Sequence, residues 1–124
     1  MIQTKQNRQV IDITPQINKI ISGDDSHKLC HLSIEHTTAA ITTADLDPGT
    51  DQDYLTFFEK VTPSADWVHP HDPSHTPDHI WSTIIGTQLT LPVREGKVVL
   101  GTWQRVVLIE LSGPRKRKIL VTMV

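Results

Sequence analysis

Four of the chain's seven histidines, His69, His71, His75 and His79, fall within one stretch, Trp67 to Trp81, WVHPHDPSHTPDHIW. Asp72 and Asp78 stand among them. Imidazole titrates near neutral pH and is the commonest metal ligand, so the clustering points to metal binding, anion binding or proton transfer. Pro70, Pro73 and Pro77 stiffen the stretch, because each fixes its own φ and restricts the residue before it. A stiff loop suits groups that must be in place before a ligand arrives. The competing reading is a solvated, proline-rich surface loop whose histidines face water.

Spacing narrows the chemistry. His69-x-His71 puts both rings on one side of an extended segment. His75 and His79 are four apart, but Pro77 argues against one helix carrying both. The HExxH zincin helix, the nucleophile elbow and the phosphate P-loop are all absent, and Cys30 has no partner cysteine for a finger. Asp45, Asp47, Asp51 and Asp53 form a loose acid run without the glycine and glutamate of a calcium loop, so it reads as turn and helix capping, with Mg²⁺ binding the minority alternative. Gly101-Thr102-Trp103-Gln104 interrupts an apolar strand. A glycine there suggests a bulge or the close approach of a ligand, which makes Thr102 and Gln104 candidates; Trp103 is equally a core residue. Arg115 follows Gly113-Pro114 and is placed either to clamp phosphate or to charge a solvated strand edge.

The elements that must position these groups can be read from periodicity. Residues 2–13 look like a strand. Thr14 then offers an N-cap and Pro15 a first helical position, with Ile17, Ile20 and Ile21 on one face and Gly23 as the stop. Lys28 to Thr43 is one long strand or two broken ones. Cys30, Leu32 and Ile34 alternate onto an apolar face whose parity His36 shares; His27 and His31 read as surface or packing residues. After the DLDPG turn, a helix runs from Thr50 or Asp51 to about Lys60 with Leu55, Phe58 and Val61 inward. Thr76 and Pro77 open a short helix to Ile85 that buries Ile80, Ile84 and Trp81. His79 then lies in its first turn, beside amides open to an anion. Leu89, Leu91 and Val93 alternate, residues 94–97 form a hairpin turn, and Val98–Leu111 and Ile119–Val124 are β-rich. Hairpins rather than βαβ units predict an α+β fold with mainly antiparallel sheet and short helices.

The whole chain sets the bounds. Its 124 residues fit one domain, 1–124, and the net charge of −2 carries no basic run beyond Arg115-Lys116-Arg117-Lys118, which disfavours nucleic acid. One cysteine suits a reducing compartment. Neither a signal pattern nor an apolar run near the roughly 20 residues of a membrane span is present. A soluble cytoplasmic protein without a membrane partner is the expectation.

HTTA at 36–39, DPG at 47–49, the pair His69 and His79, IGTQLTLPV at 85–93, GTWQ at 101–104 and ELSGPR at 110–115 occur in this order. Together they make the chain resemble the YjbQ-like family, also called the secondary thiamine-phosphate synthase family, from about residue 10 to the C-terminus. The resemblance implies a compact subunit assembled as a homotrimer, and a polar pocket whose three histidines correspond to His36, His69 and His79. It implies a reaction that joins a pyrimidine-methyl diphosphate to a thiazole phosphate and releases pyrophosphate. Within it, Arg115 holds phosphate, Asp47 orients a histidine or holds a metal, and Thr102 and Gln104 contribute ligand or cofactor contacts. Three histidines with few carboxylates suit Zn²⁺ better than Mg²⁺ as the divalent metal. Two alternatives stand beside the synthase: a metal- or anion-binding homotrimer without that turnover, and a metal-dependent hydrolase with one coordination position open for water. The sequence departs from many relatives at Thr43-Ala44-Asp45-Leu46, where they carry Asn-Glu-Asn, and at Ser112, where they commonly carry Asp.

Overall fold

The computed structural model describes residues 1–124. In chain order the elements are β1 (Ile2–Gln3), β2 (Gln9–Asp12), α1 (Thr14–Ile21), β3 (Leu29–Ile34), β4 (Ala39–Ala44), α2 (Thr50–Val61), α3 (Thr76–Ile85), β5 (Gln88–Arg94), β6 (Lys97–Val98), β7 (Arg105–Glu110), β8 (Lys116–Arg117) and β9 (Ile119–Met123). A 3-10 turn, Pro73–His75, leads into α3. Every strand pair is antiparallel, in sheets ordered β1-β8, β2-β7-β4 and β6-β5-β3-β9. This is the α+β architecture that the hairpin pattern predicts. No helix is long and apolar enough to cross a membrane.

Strand β7 organises the layers. Val106 and Leu108 face one core, shared with Ile17 and Ile21 of α1 and Cys30, Leu32 and Ile34 of β3. Val107 and Ile109 face a second core, against which Leu55 and Phe58 of α2 and Trp81 and Ile85 of α3 pack. The four-stranded sheet, the three-stranded sheet and the α2–α3 pair therefore stack in that order. A strand covered on both faces has no wet side, so VVLI reads as a continuous apolar run rather than an alternation. In β3 the alternation is kept: Cys30, Leu32 and Ile34 are buried, and His31 on the other face bonds Thr90 Oγ1 at 2.8 Å. His27 likewise stays local, 2.6 Å from Asp24 Oδ2.

Several boundaries differ from the sequence reading. The expected strand at 2–13 is split, because Thr4 turns inward to donate its hydroxyl to Glu110 at 2.6 Å. Lys28–Thr43 resolves into β3 and β4, which belong to different sheets. Val98–Leu111 is broken by a turn in which Gln104 N–H donates to Gly101 O at 3.1 Å, and Trp103 is 70% exposed there rather than in the core. Thr14 is helical and does not cap: its hydroxyl accepts from Val106 N–H at 2.8 Å, and Asp12 Oδ1 accepts from its amide at 2.9 Å. Ile20 leaves the apolar face of α1, where Thr14, Ile17 and Ile21 are the buried residues, and Val61 is exposed at the end of α2.

Leu108 is wholly buried between the packed layers. Leu108→Ala is expected to cost about 2–5 kcal/mol in urea denaturation, whereas Val68→Ala, at a 96% exposed position, should stay within about 0.5 kcal/mol.

Candidate functional site

Residues 35–38 link β3 to β4 and carry His36. Helix α3 lies across the start of β4. Its buried residues are Asp78 and Ser82, not the expected Ile80 and Ile84, which are exposed. Ser82 Oγ donates to Ala39 O at 2.6 Å, and Asp78 accepts from Arg8 Nη2 at 2.8 Å. A hydrogen bond from a buried hydroxyl to a strand carbonyl sets the helix's rotation with directional precision. It turns His79 and Thr83 toward the 35–38 loop.

Two adjoining clefts result, of about 360 and 480 Å³, and His36, Thr37 and His79 line both. Neither has a hydrophobic residue in its wall. The smaller one adds His75, Arg115 and Arg117. His79 Nδ1 lies 3.0 Å from Thr37 O. A carbonyl only accepts, so Nδ1 carries the proton and a neutral His79 keeps its lone pair at Nε2. His36 is bonded the other way round. Its Nε2 accepts from Lys118 N–H at 3.0 Å, which places the proton of the neutral ring on Nδ1. Burial pushes the His36 pKa below the ordinary 6.5; the Arg117 charge lowers it further, with Arg115 adding to this and Glu110 and Glu35 opposing. The ring of His69 stacks on His79, centroids 4.7 Å apart and planes at 25°, and its Nδ1 is buried without a partner.

The predicted histidines are thus brought together, though not as a cage. A metal must lie in the plane of each ligating ring, about 2 Å from its nitrogen. Nearly parallel stacked rings do not meet that condition at one point, and His36 Nε2 is already engaged. No group of three His, Cys, Asp or Glu side chains is arranged to hold a metal. The three histidines in this arrangement do not fit a preformed zinc site.

The remaining candidates separate. His75 lines the cleft and sits 3.2 Å from Asp72 Oδ2. His71 is exposed, and its φ of 69° breaks the extended geometry that would have aligned it with His69. At the start of α3 one amide is already used, because Thr76 N–H donates to Pro73 O. Arg115 reaches the cleft, held by its Nε–H donating to Ser112 O at 2.8 Å. At position 112 it is the backbone that acts: Ser112 N–H also donates to Glu110 Oε2 at 3.3 Å. Asp47 lies in the turn ahead of α2, and Thr102 and Gln104 in the turn before β7; none of the three lines either cleft. Gln104 Nε2 reaches Thr43 Oγ1 at 3.4 Å, near the end of β4 remote from the histidines. About 3.3 Å per residue puts roughly 16 Å between the two ends of that strand.

The sequence reading missed Arg117. It is 2% exposed, donates through Nε and Nη2 to Glu110, and donates through Nη2 to Thr38 O at 3.0 Å and Thr38 Oγ1 at 2.9 Å. A signal was present: Arg117 shares parity with Ile119 and Val121, so alternation would have turned it inward.

Comparison with known proteins agrees with this fold. The family model described as UPF0047 protein YjbQ-like matches residues 1–124. The chain belongs to the YjbQ-like UPF0047 family. A UPF0047 protein of Archaeoglobus fulgidus is 33% identical over 121 residues, covering 97% of this chain and 94% of that one. YjbQ of Salmonella typhimurium is 38% identical over 112 residues, covering 84% and 81%. Among solved structures, a hypothetical protein of Aeropyrum pernix superposes with a TM-score of 0.89 at 30% identity, covering 99% and 93% of the two chains. A YjbQ/UPF0047 family protein of Clostridium acetobutylicum gives 0.86 at 35% identity, covering 99% and 96%. The family fold thus extends over the whole chain, including β1 and the split N-terminal strand.

The environment of His36 has a measurable consequence. Its folded pKa lies below 6.5, so the neutral ring is the form the fold favours; stability contributed by His36 is in place above 6.5 and is lost as pH falls through that value toward the lower folded pKa. NMR titration of the ring should give a midpoint below 6.5 and a Nδ1–H tautomer at neutral pH.

Proposed function

We propose that the cleft between His36, His79, Arg115 and Arg117 binds a small phosphorylated molecule, and that the protein joins a pyrimidine-methyl diphosphate to a thiazole phosphate. The observation that carries this reading is one wholly polar cleft holding an imidazole oriented through its Nδ1 alongside two guanidinium groups. In the reaction, the thiazole nitrogen forms a bond to the methylene carbon. The carbon–oxygen bond breaks, and its electron pair leaves on pyrophosphate. The barrier is dominated by charge gathering on the departing oxygens, which preorganised cationic donors stabilise. Arginine forks match that geometry, and His79, when protonated, donates through Nε2 to a leaving oxygen while Nδ1–H stays on Thr37 O. The family resemblance in ELSGPR, HTTA and GTWQ supports the choice of substrates.

The test is turnover. With both substrates supplied, the protein should release pyrophosphate and thiamine phosphate. His79→Ala and Arg115→Ala should each lower the rate by roughly tenfold or more, as expected for losing a charge-assisted contact, with melting unchanged. Pyrophosphate binding without product would leave the non-catalytic anion-binding alternative as the function.

Zinc is the second reading, favoured by the orphaned His69 Nδ1 beside His79. It requires His69 to rotate off its neighbour and His36 to release Lys118 N–H. On this reading, calorimetry finds Zn²⁺ affinity that weakens as pH falls through the histidine range and disappears in His69→Ala and His79→Ala. Affinity unchanged in both variants removes it.

The homotrimer implied by the family has support from surface that one chain leaves open. Strand β9 is an unpaired edge, Leu120 on it is exposed, and Met1 and Ile20 stand uncovered nearby, beside the shallow pocket that Ile119 and Val121 help to line. Sedimentation equilibrium should show a trimer at micromolar concentration; a stable monomer contradicts it.

A further inference from the structure

We infer that Arg117 is the anion-specificity residue of this site, binding one phosphate oxygen through Nη1 while Glu110 and Thr38 hold the guanidinium still. The inference rests on the anion-cleft reading above and deepens it.

Arg117 is 2% exposed, and what it exposes belongs to the cleft wall. Two of its three nitrogens are committed. Nε donates to Glu110 Oε1 at 3.0 Å and Oε2 at 3.1 Å, and Nη2 donates to Glu110 and to both oxygens of Thr38. Nη1 makes no hydrogen bond within the protein, although it carries two N–H donors. His69 Nδ1 is the one buried side-chain nitrogen or oxygen without a partner, so the unbonded Nη1 of Arg117 reaches accessible space, where an anion in the cleft can accept from it. Glu110 is 0% exposed and has no spare capacity for a ligand: besides Arg117 it accepts from Thr4 Oγ1 at 2.6 Å, Leu111 N–H at 3.1 Å and Ser112 N–H at 3.3 Å. Its role is positioning.

The arrangement explains a division of labour. Arg115 is exposed and long, so it can follow a ligand of variable shape. Arg117 is held by Glu110 and Thr38 and presents its remaining donors in the plane of the guanidinium. Such a group discriminates by geometry, favouring a tetrahedral oxyanion that Arg115 and His79 can contact from the other side of the cleft. A lysine at 117 keeps the charge but loses the fork, and cannot satisfy Glu110 and reach the ligand together.

The experiment is a calorimetric titration with inorganic pyrophosphate at fixed salt, on wild type, Arg117→Lys and the paired variant Glu110→Met with Arg117→Met. The pair removes both buried charges together, so neither is left uncompensated, and it provides a second route to a folded variant if the lysine one does not fold. Both variants should melt cooperatively, and each folded one should bind pyrophosphate at least tenfold more weakly than wild type. In parallel, the side-chain ¹⁵N–¹H resonances of Arg117 in the wild-type protein should shift on adding pyrophosphate, a response that a purely structural arginine would not give. Wild-type-like affinity in a folded variant, or unmoved Arg117 resonances with pyrophosphate bound, overturns the assignment while leaving the anion cleft standing on His79 and Arg115. If wild type itself fails to bind pyrophosphate, the cleft reading fails and the role of Arg117 fails with it.

Discussion

The buried ion pair between Glu110 and Arg117 is the constraint on which the site depends. It ties the end of β7 to β8, draws Thr4 inward and pins Thr38 at the head of β4. Burial pushes the Glu110 carboxyl up, yet the hydrogen bonds from Arg117, Thr4 and Ser112 N–H together hold it below the ordinary glutamate value. Removing one member of such a pair typically costs about 3–5 kcal/mol, because the other is left as an uncompensated buried charge. The pair therefore makes the 36–38 segment rigid, and that segment supplies His36 and the Thr37 carbonyl that orients His79. Stability and site geometry pass through the same carboxylate.

Helix α3 translates that rigidity into a wall. One side carries His79, Ser82 and Thr83 along the polar clefts. The other carries Pro77, Ile80, Trp81 and Ile84 along an apolar groove of about 280 Å³ that Val61 and Trp67 complete. At about 100° per residue these sets point in nearly opposite directions. The helix is held by Ser82 on the Ala39 carbonyl, by the Asp78–Arg8 ion pair and by Trp81 and Ile85 on the second core, which leaves Ile80 and Ile84 free to face outward. This inverts the usual relation between an amphipathic pattern and burial. The polar side is inside because the strand end beneath it offers carbonyls rather than methyl groups.

Much of the molecule is legible in the sequence. Unpaired Cys30, the hairpin turns and the alternation of β3 and β5 are enough for an antiparallel α+β domain, since local parity and turn chemistry act within a few residues. The histidine stretch is legible for the same reason: residue type and proline spacing are local facts. His36 is visible only through the family motif, because its parity marks it as apolar while β3 ends two residues earlier, at Ile34. What tertiary structure alone decided are the relations between distant segments. It stacked His69 on His79 instead of letting three rings converge. It sent Thr102 and Gln104 to the far end of β4 and turned Ile80 and Ile84 outward. It also buried Arg117, from a run of four basic residues, against a glutamate seven positions earlier. Each outcome depends on which carbonyl, carboxylate or ring a side chain meets across the fold, and sequence separation carries no information about that meeting.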